Sequence, residues 1–208
     1  MRCQRRRFRA LRVGAGLVCA AAVLAACGGA DPADGGGSGS PATGGSAAPT
    51  EEYTIPPRPQ VTPPSEPVLT GVELEDAAVL AEYYLELYPY VNQTGDTAEW
   101  EKYAHPECEY CQRVLKDVEE DNRTGVWGEL TLGIKDSVWF YTTNGNVDYR
   151  IDFLTDRSDY IIYEIEGSET IPAAEHTVVI GVSIVDNELK VKTFDIIDSS
   201  HFGQEELP

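Results

Sequence analysis

Apolar residues along the first half of the ordered part of the chain recur at helical spacing. Leu74, Ala77, Ala81, Tyr84, Leu85, Tyr88 and Val91 fall on one stripe and predict a helix over 72–93. Thr70-Gly71-Val72-Glu73 reads as a capping box at its start, with Glu75 and Asp76 in the first turn. Pro89 removes a backbone donor inside this stretch and predicts a kink, and Gly95 suits a left-handed stop. Asp96-Thr97-Ala98-Glu99 opens a second, short helix carrying Trp100 and Tyr103, which His105-Pro106 ends. A third helix over 107–123 sets Tyr110, Val114 and Val118 on one face beside Cys111 and Leu115, and Gly125 ends it.

Beyond Gly125 the period changes to two. Leu130, Leu132 and Ile134 alternate with polar residues, and Val138-Trp139-Phe140-Tyr141 follows. Asn144-Gly145 is a hairpin signal. Val147, Tyr149, Ile151 and Phe153 alternate with Asp148, Arg150 and Asp152; Tyr160–Ile165 reads as a further strand. Val178, Ile180, Val182 and Ile184 alternate up to a turn at Asp186-Asn187, after which Leu189, Val191 and Thr193 alternate with Lys190, Lys192 and Phe194. Helices followed by an antiparallel meander predict an α+β domain over 70–200, with the N-terminal helices packed on one sheet face. Residues 201–208 read as a C-terminal tail.

The first 69 residues carry a different pattern. Arginines crowd positions 2–12 and a short apolar run, VGAGLVCAAAVLAA, covers 13–26. At 1.5 Å per residue this run spans roughly 21 Å, short of the ~30 Å bilayer core, which is the pattern of a signal peptide rather than a membrane span. Leu24-Ala25-Ala26-Cys27-Gly28 resembles the bacterial lipobox, which implies a lipoprotein signal peptide over 1–26 and a lipidated Cys27. Two or more acyl chains there anchor stably to a membrane. That places the domain on the extracytoplasmic face of the cell membrane. Arg5-Arg6-Arg7-Phe8 also resembles the twin-arginine export motif, although Arg9 and Ala10 stand where leucine and lysine are usual.

Residues 27–69 read as a disordered tether: Gly/Ser-rich and flexible up to Thr50, then proline-rich, extended and stiffer. Pro56-Pro57-Arg58-Pro59 has the spacing of a PxxP ligand, but a plain spacer is the preferred reading. The chain carries a formal charge of −19 with its arginines concentrated in the first twelve residues, so the domain itself is strongly acidic. Such a surface repels phosphate backbones, and nucleic acid is excluded as a partner.

Several local motifs together carry a family resemblance. Tyr88-x-Tyr90, Thr94-Gly95-Asp96-Thr97 and Cys108-x-x-Cys111 before a helix, then a long antiparallel region, all stand behind a lipobox and a Gly/Pro tether. This combination resembles an actinobacterial lipoprotein family, the domain of unknown function number 6318, over about residues 70–198. The family is similar in plan to the nuclear-transport-factor-2-like or cystatin-like cone, in which a curved sheet wraps a long helix. Pro89 departs from the family's smoother helix. The resemblance implies no particular activity.

Cysteines supply the sharpest candidate chemistry. Removal of a signal peptide leaves Cys27, Cys108 and Cys111. With Cys27 lipidated, Cys108 and Cys111 remain as a pair in an oxidising compartment, and a structural disulfide is the default. A thiol–disulfide redox centre is the first alternative, although it usually follows a strand. A zinc site with His105 and Glu107 is the second, although no other ligand pair is present. No metal or other cofactor is expected. His176 reads as a turn residue, and there is no G-x-S-x-G, HExxH, P-loop or GxGxxG. Asn92-Gln93-Thr94 and Asn122-Arg123-Thr124 match the glycosylation sequon, a chance match in a bacterial lipoprotein.

Aromatic residues are the remaining hint. Trp127, Trp139, Tyr141 and Tyr149 are candidate lining for a pocket in a cone, with Phe140 and Tyr163 nearby; filling of the core is the simpler use for such side chains. The functional expectation is a non-catalytic domain that binds an envelope protein or a small ligand. The rivals are a pocket enzyme and a redox protein. The lipobox yields a direct test. Cys27→Ala should move the protein from the membrane fraction to the medium or leave it unprocessed. Unchanged detergent-phase partitioning of a processed Cys27→Ala protein would remove the anchor.

Overall fold

A computed structural model describes residues 53–143 and 145–205. The expected signal peptide, Cys27 and the glycine-rich stretch of the expected tether lie outside the described residues. Three helices come first: α1 Leu74–Thr94, α2 Ala98–Tyr103 and α3 Glu109–Thr124. Seven strands follow: β1 Trp127–Glu129, β2 Leu132–Tyr141, β3 Tyr149–Arg157, β4 Tyr160–Glu164, β5 Gly167–Ile171, β6 Ala174–Val185 and β7 Glu188–Asp198. The class is α+β with antiparallel sheets, as the change of period predicts.

The helix signals hold in outline. Gly95 and Gly125 both stop their helices in the left-handed region, at φ +77° and +79°, where a side chain would be strained. Pro89 sits within one continuous α1. The capping box does not form. Glu73 is the N-cap and makes no side-chain cap; instead the Asp76 carboxylate accepts from the Thr70 backbone N–H at 2.7 Å. An acid one turn into the helix reaches back to the preceding loop, so the Thr70 hydroxyl is drawn to Asp76 as well.

The strands form one ladder of four, β2-β3-β6-β7, and one of three, β1-β4-β5. These ladders share a register. The β3–β6 pairing steps from Tyr149↔Val182 to Arg157↔Ala174, and β4–β5 continues it from Tyr160↔Ile171 to Glu164↔Gly167. The chain therefore builds a single long hairpin, broken at Ser158-Asp159 on one arm and Pro172-Ala173 on the other. Pro172 lacks a ladder donor, and Ser158 and Asp159 turn their side chains to backbone groups. Ser158 Oγ accepts from Thr131 N, and Asp159 Oδ1 accepts from Ala173 N at 2.8 Å. At this break the sheet folds toward the C-terminal end of α1. Tyr160 Oη donates to Asn92 Oδ1 at 3.0 Å, and Gln93 Nε2 donates to Leu130 O at 2.9 Å.

The core lies between α1 and the inner face of β3, β6 and β7. Leu80, Tyr84, Leu87 and Val91 of the helix are fully buried, as are Ile151, Ile180, Val182 and Val191 of the sheet. Simple alternation along β7 fails at one point. Gly181 pairs with Thr193 but Val182 pairs with Val191, so Lys192 is an extra residue. This bulge shifts the phase and turns Phe194, not Thr193, into the core. A second bulge between Ile134 and Asp136 joins into one strand what the sequence presents as two.

Three boundaries differ from expectation. β2 and β3 form the expected hairpin, but Tyr141↔Tyr149 is its last pair, so the connection is longer than a two-residue turn; Asn144 lies outside the described residues. Thr142 N–H bonds Asp148 O at 3.1 Å, and Gly145 has φ +72° inside that longer loop. The C-terminal segment does not trail free. A 3-10 turn at Ser199–His201 leads into residues that lie on the outer sheet face, where Arg150 donates to the carbonyls of Gln204 and Glu205. Beneath it Arg150 forks onto Asp152, Nε to Oδ1 at 2.8 Å and Nη2 to Oδ2 at 2.6 Å, with Asp152 fully buried. The segment covers this paired charge and supplies carbonyl acceptors for the guanidinium N–H groups that Asp152 does not take. Residues 53–69, the proline-rich end of the expected tether, carry no helix or strand but touch the domain at Pro56, Arg58 and Glu66.

The bulge at Lys192 generates a test. Phe194→Ala should empty space among four other rings and cost about 3–5 kcal/mol, read as a lowered urea midpoint. A loss below about 1 kcal/mol would mean that the ring is not in the core.

Candidate functional site

The interior of the domain is an aromatic stack. Tyr84 lies on Trp100 with centroids 4.0 Å apart, and Tyr110 lies on Phe194 at 4.8 Å. Tyr88 contacts both pairs, at 6.2 Å from Trp100 and 6.1 Å from Phe194. Sequence spacing explains the convergence: Tyr84 and Tyr88 are one turn apart on α1, and the short α2 and α3 each present one ring. Burial pushes the Tyr84 phenol well above its ordinary pKa, so it remains a donor, to the Trp100 carbonyl at 3.3 Å. The Trp100 indole in turn donates to Cys111 O at 3.3 Å.

The four aromatic residues expected to line a pocket do not converge on one. Tyr149 is buried and its hydroxyl donates to Val72 O at 2.8 Å. Trp127 belongs to the three-stranded ladder, stacked near Tyr163 at 4.4 Å. Trp139 and Tyr141 are partners of Ile151 and Tyr149 across β2–β3, so they share the inner face, yet they are 45% and 67% exposed. The reason is position: β2 is the edge strand of its ladder, with a strand on one side only among the described residues. Trp139 and Tyr141 therefore form an open apolar strip beside an unpaired strand edge. Ile134, earlier on the same strand, is exposed too.

Cys108 and Cys111 are joined as a disulfide with Cα atoms 5.2 Å apart, and both residues are fully buried. Cys108 is the N-cap of α3, and its sulfur accepts from the Cys111 N–H at 3.2 Å. The bond thus fixes the entry into α3 and the ring of Tyr110 between its two ends. The other proposed zinc ligands are turned to different work. His105 Nδ1 accepts from the Glu107 N–H at 3.0 Å, and the Glu107 carboxylate pairs with Lys192 at 3.2 Å. Among the described residues no three His, Cys, Asp or Glu side chains group as a metal site.

An open cleft lies where the β2–β3 loop meets the β6–β7 end, lined by His105, Asp148, Ser183 and Lys192 among others. Its charges are engaged internally: Asp148 Oδ2 accepts from Ile184 N at 2.8 Å, and Lys192 holds Glu107. His176, which lies in β6 rather than in a turn, has its pKa lowered by burial and by the Arg157 charge. It pairs across the ladder with Thr155, away from this cleft.

Sequence reasoning missed one constellation. Trp127 Nε1 donates to Pro56 O at 2.8 Å, and Arg58 Nη2 donates to Val126 O at 2.7 Å. The PxxP spacing was the available signal for it, but nothing local says what a proline-rich stretch touches.

These features define a mixed α+β domain with antiparallel sheets, a filled interior and an aromatic edge. Residues 70–185, from the loop before α1 to the end of β6, match the family of unknown function DUF6318, and the chain belongs to that family. Among solved structures, the intermembrane space region of the chloroplast protein ARC6 is similar at a TM-score of 0.43 and 10% identity, over 59% of this chain and 97% of that one. No curated protein matches the chain in sequence.

The buried disulfide generates a prediction. The loop it closes is short, so the chain-entropy gain is small, about 1–2 kcal/mol against about 3 for a 15-residue loop. Cys108→Ser with Cys111→Ser should leave a folded domain with a urea midpoint lowered to that extent. In the native protein, alkylation under mild reductant should find no thiol at either position; rapid labelling would place the pair among exchangeable, redox-active disulfides.

Proposed function

We propose that this chain is a lipid-anchored, non-catalytic binding domain of the bacterial cell envelope. The lipobox at Cys27 supports the anchor, and the resemblance to actinobacterial lipoproteins supports the compartment. In this reading the domain is a cone like that of nuclear-transport-factor-2-like proteins, with its interior given over to packing. The carrying observation is the division of aromatic residues. Tyr84, Trp100, Tyr110 and Phe194 fill the place where a pocket enzyme keeps its substrate, while Trp139 and Tyr141 are held out on the edge of the sheet.

An edge strand with free backbone groups and two exposed rings suits an extended protein segment better than a compact small molecule. Backbone hydrogen bonds to β2 give affinity, and the rings select apolar side chains at alternate positions. Lys135 sits on this strand, paired with Glu175 and Asp156, and limits indiscriminate strand addition.

A displayed library of extended peptides, selected on the full chain, should return sequences with alternating apolar residues. Trp139→Ala or Tyr141→Ala should weaken them about tenfold, in line with the 1–2 kcal/mol typical of an exposed aromatic anchor. Binding indifferent to both substitutions would move the site elsewhere.

A further inference from the structure

The contact between the proline-rich segment and the domain has the form of ligand recognition. Extended proline-rich peptides make no internal hydrogen bonds, so their carbonyls point outward and are free to be read. Here an indole reads one: Trp127 Nε1 donates to Pro56 O at 2.8 Å. The same ring lies against Tyr163, centroids 4.4 Å apart, which makes a two-ring apolar wall; Tyr163 Oη is steadied by Glu129 at 3.2 Å. A tryptophan whose N–H faces a proline carbonyl beside a second aromatic ring is the physical basis of polyproline grooves in general.

The second element of recognition is Arg58. Its guanidinium enters the gap between the ends of α1 and α3, where Nη2 donates to Val126 O at 2.7 Å. Two left-handed glycines clear that gap. A Cβ on Gly95 would stand 2.6 Å from Arg58 Nη1, and one on Gly125 would touch Ile55 Cδ1 at 4.0 Å. Burial disfavours the guanidinium there and lowers its pKa on balance, with the Asp121 charge partly offsetting it. Nη1 is buried without a hydrogen-bond partner among the described residues. The fit is therefore specific but incomplete, which is what a displaceable intramolecular ligand requires: proximity raises its effective concentration and compensates for an imperfect contact.

We propose that this groove is a binding site for a proline-rich partner segment carrying an apolar-Pro-Pro-Arg sequence, and that the chain's own Ile55–Pro59 occupies it in cis as a displaceable strap. The occupant's chemistry follows from what is seated there: an apolar residue at Gly125, a proline carbonyl at Trp127, and a cation drawn to an acidic domain. The site is separate from the β2 edge, so it stands or falls independently of the reading above.

The probe is a fluorescent peptide with the sequence of residues 52–61, titrated into the full chain by anisotropy. Arg58→Ala in the protein should weaken the strap and raise peptide affinity at least tenfold over the native chain. Arg58→Lys, which keeps the charge and stem but loses the fork, is the second variant and should raise it in the same direction, so a folding defect in the first does not decide the outcome. A peptide with alanine in place of its arginine should bind the Arg58→Ala chain at least tenfold more weakly than the parent peptide, and Trp127→Phe in that chain should have a comparable effect. Equal peptide affinity for native and strap-weakened chains, no binding to either variant, or indifference to the peptide's arginine would overturn the proposal. So would a native chain that sediments as a dimer dissolved by the peptide, since the strap would then be exchanged between copies and not held in cis.

Discussion

Everything in this domain is arranged around α1 and the need to bury it on more than one side. A 21-residue helix with Leu80, Tyr84, Leu87 and Val91 wholly excluded from water cannot be satisfied by a flat sheet touching a single stripe. Each such side chain contributes about 1.5–3 kcal/mol when buried, and that gain requires a surface that wraps. The sheet supplies it by bending at Ser158-Asp159 and Pro172-Ala173 without losing register, which brings Leu130, Tyr160 and Ile162 round to the helix's C-terminal end. The remaining flank is closed by α2 and α3, whose Trp100 and Tyr110 complete the stack on Phe194. The disulfide belongs to the same requirement, since it sets where α3 begins and hence where Tyr110 lies.

The elements readable from sequence were those whose period is unbroken. The α1 stripe, the left-handed stops at Gly95 and Gly125, and the Asp186-Asn187 turn, both residues with positive φ, are local properties and appear as local patterns. What failed needed a partner strand to define it. A bulge at Lys192 exists because Gly181 and Val182 pair as they do, so Phe194 reads as a surface residue until its neighbour is known. The three-residue β1 and the polar β5, Gly-Ser-Glu-Thr-Ile, have no period of their own; they are strands because the long hairpin carries them. The aromatic residues show the same limit. Alternation correctly places Trp139 and Tyr141 on the inner face, but only the position of β2 at the edge of the ladder tells that they stay exposed. As for the site, the cysteine pair was legible from parity and compartment, whereas Trp127 and Pro56 are seventy-one residues apart and meet through tertiary structure alone.

A few polar groups in the domain are turned inward to positioning work. Asp76 holds the loop before α1, Asn92 receives Tyr160 at the sheet break, and Arg150 with Asp152 supports the C-terminal segment. The acid excess of the sequence thus divides into a few buried orienting carboxylates and a broad solvated surface. In the proposed reading, binding falls to aromatic rings and backbone edges.

The strap also decides how the domain meets mechanical load. A pull on the chain from its N-terminal side does not act first on α1. It meets Pro56 and Arg58 at the Trp127 groove, then Glu66, which accepts from the Tyr103 hydroxyl at 3.0 Å, then Thr70 on Asp76. These attachments stand in series ahead of the core. If the N-terminus is anchored as proposed, each would yield and lengthen the chain before load reaches the helix, and the segment would act as a shock absorber.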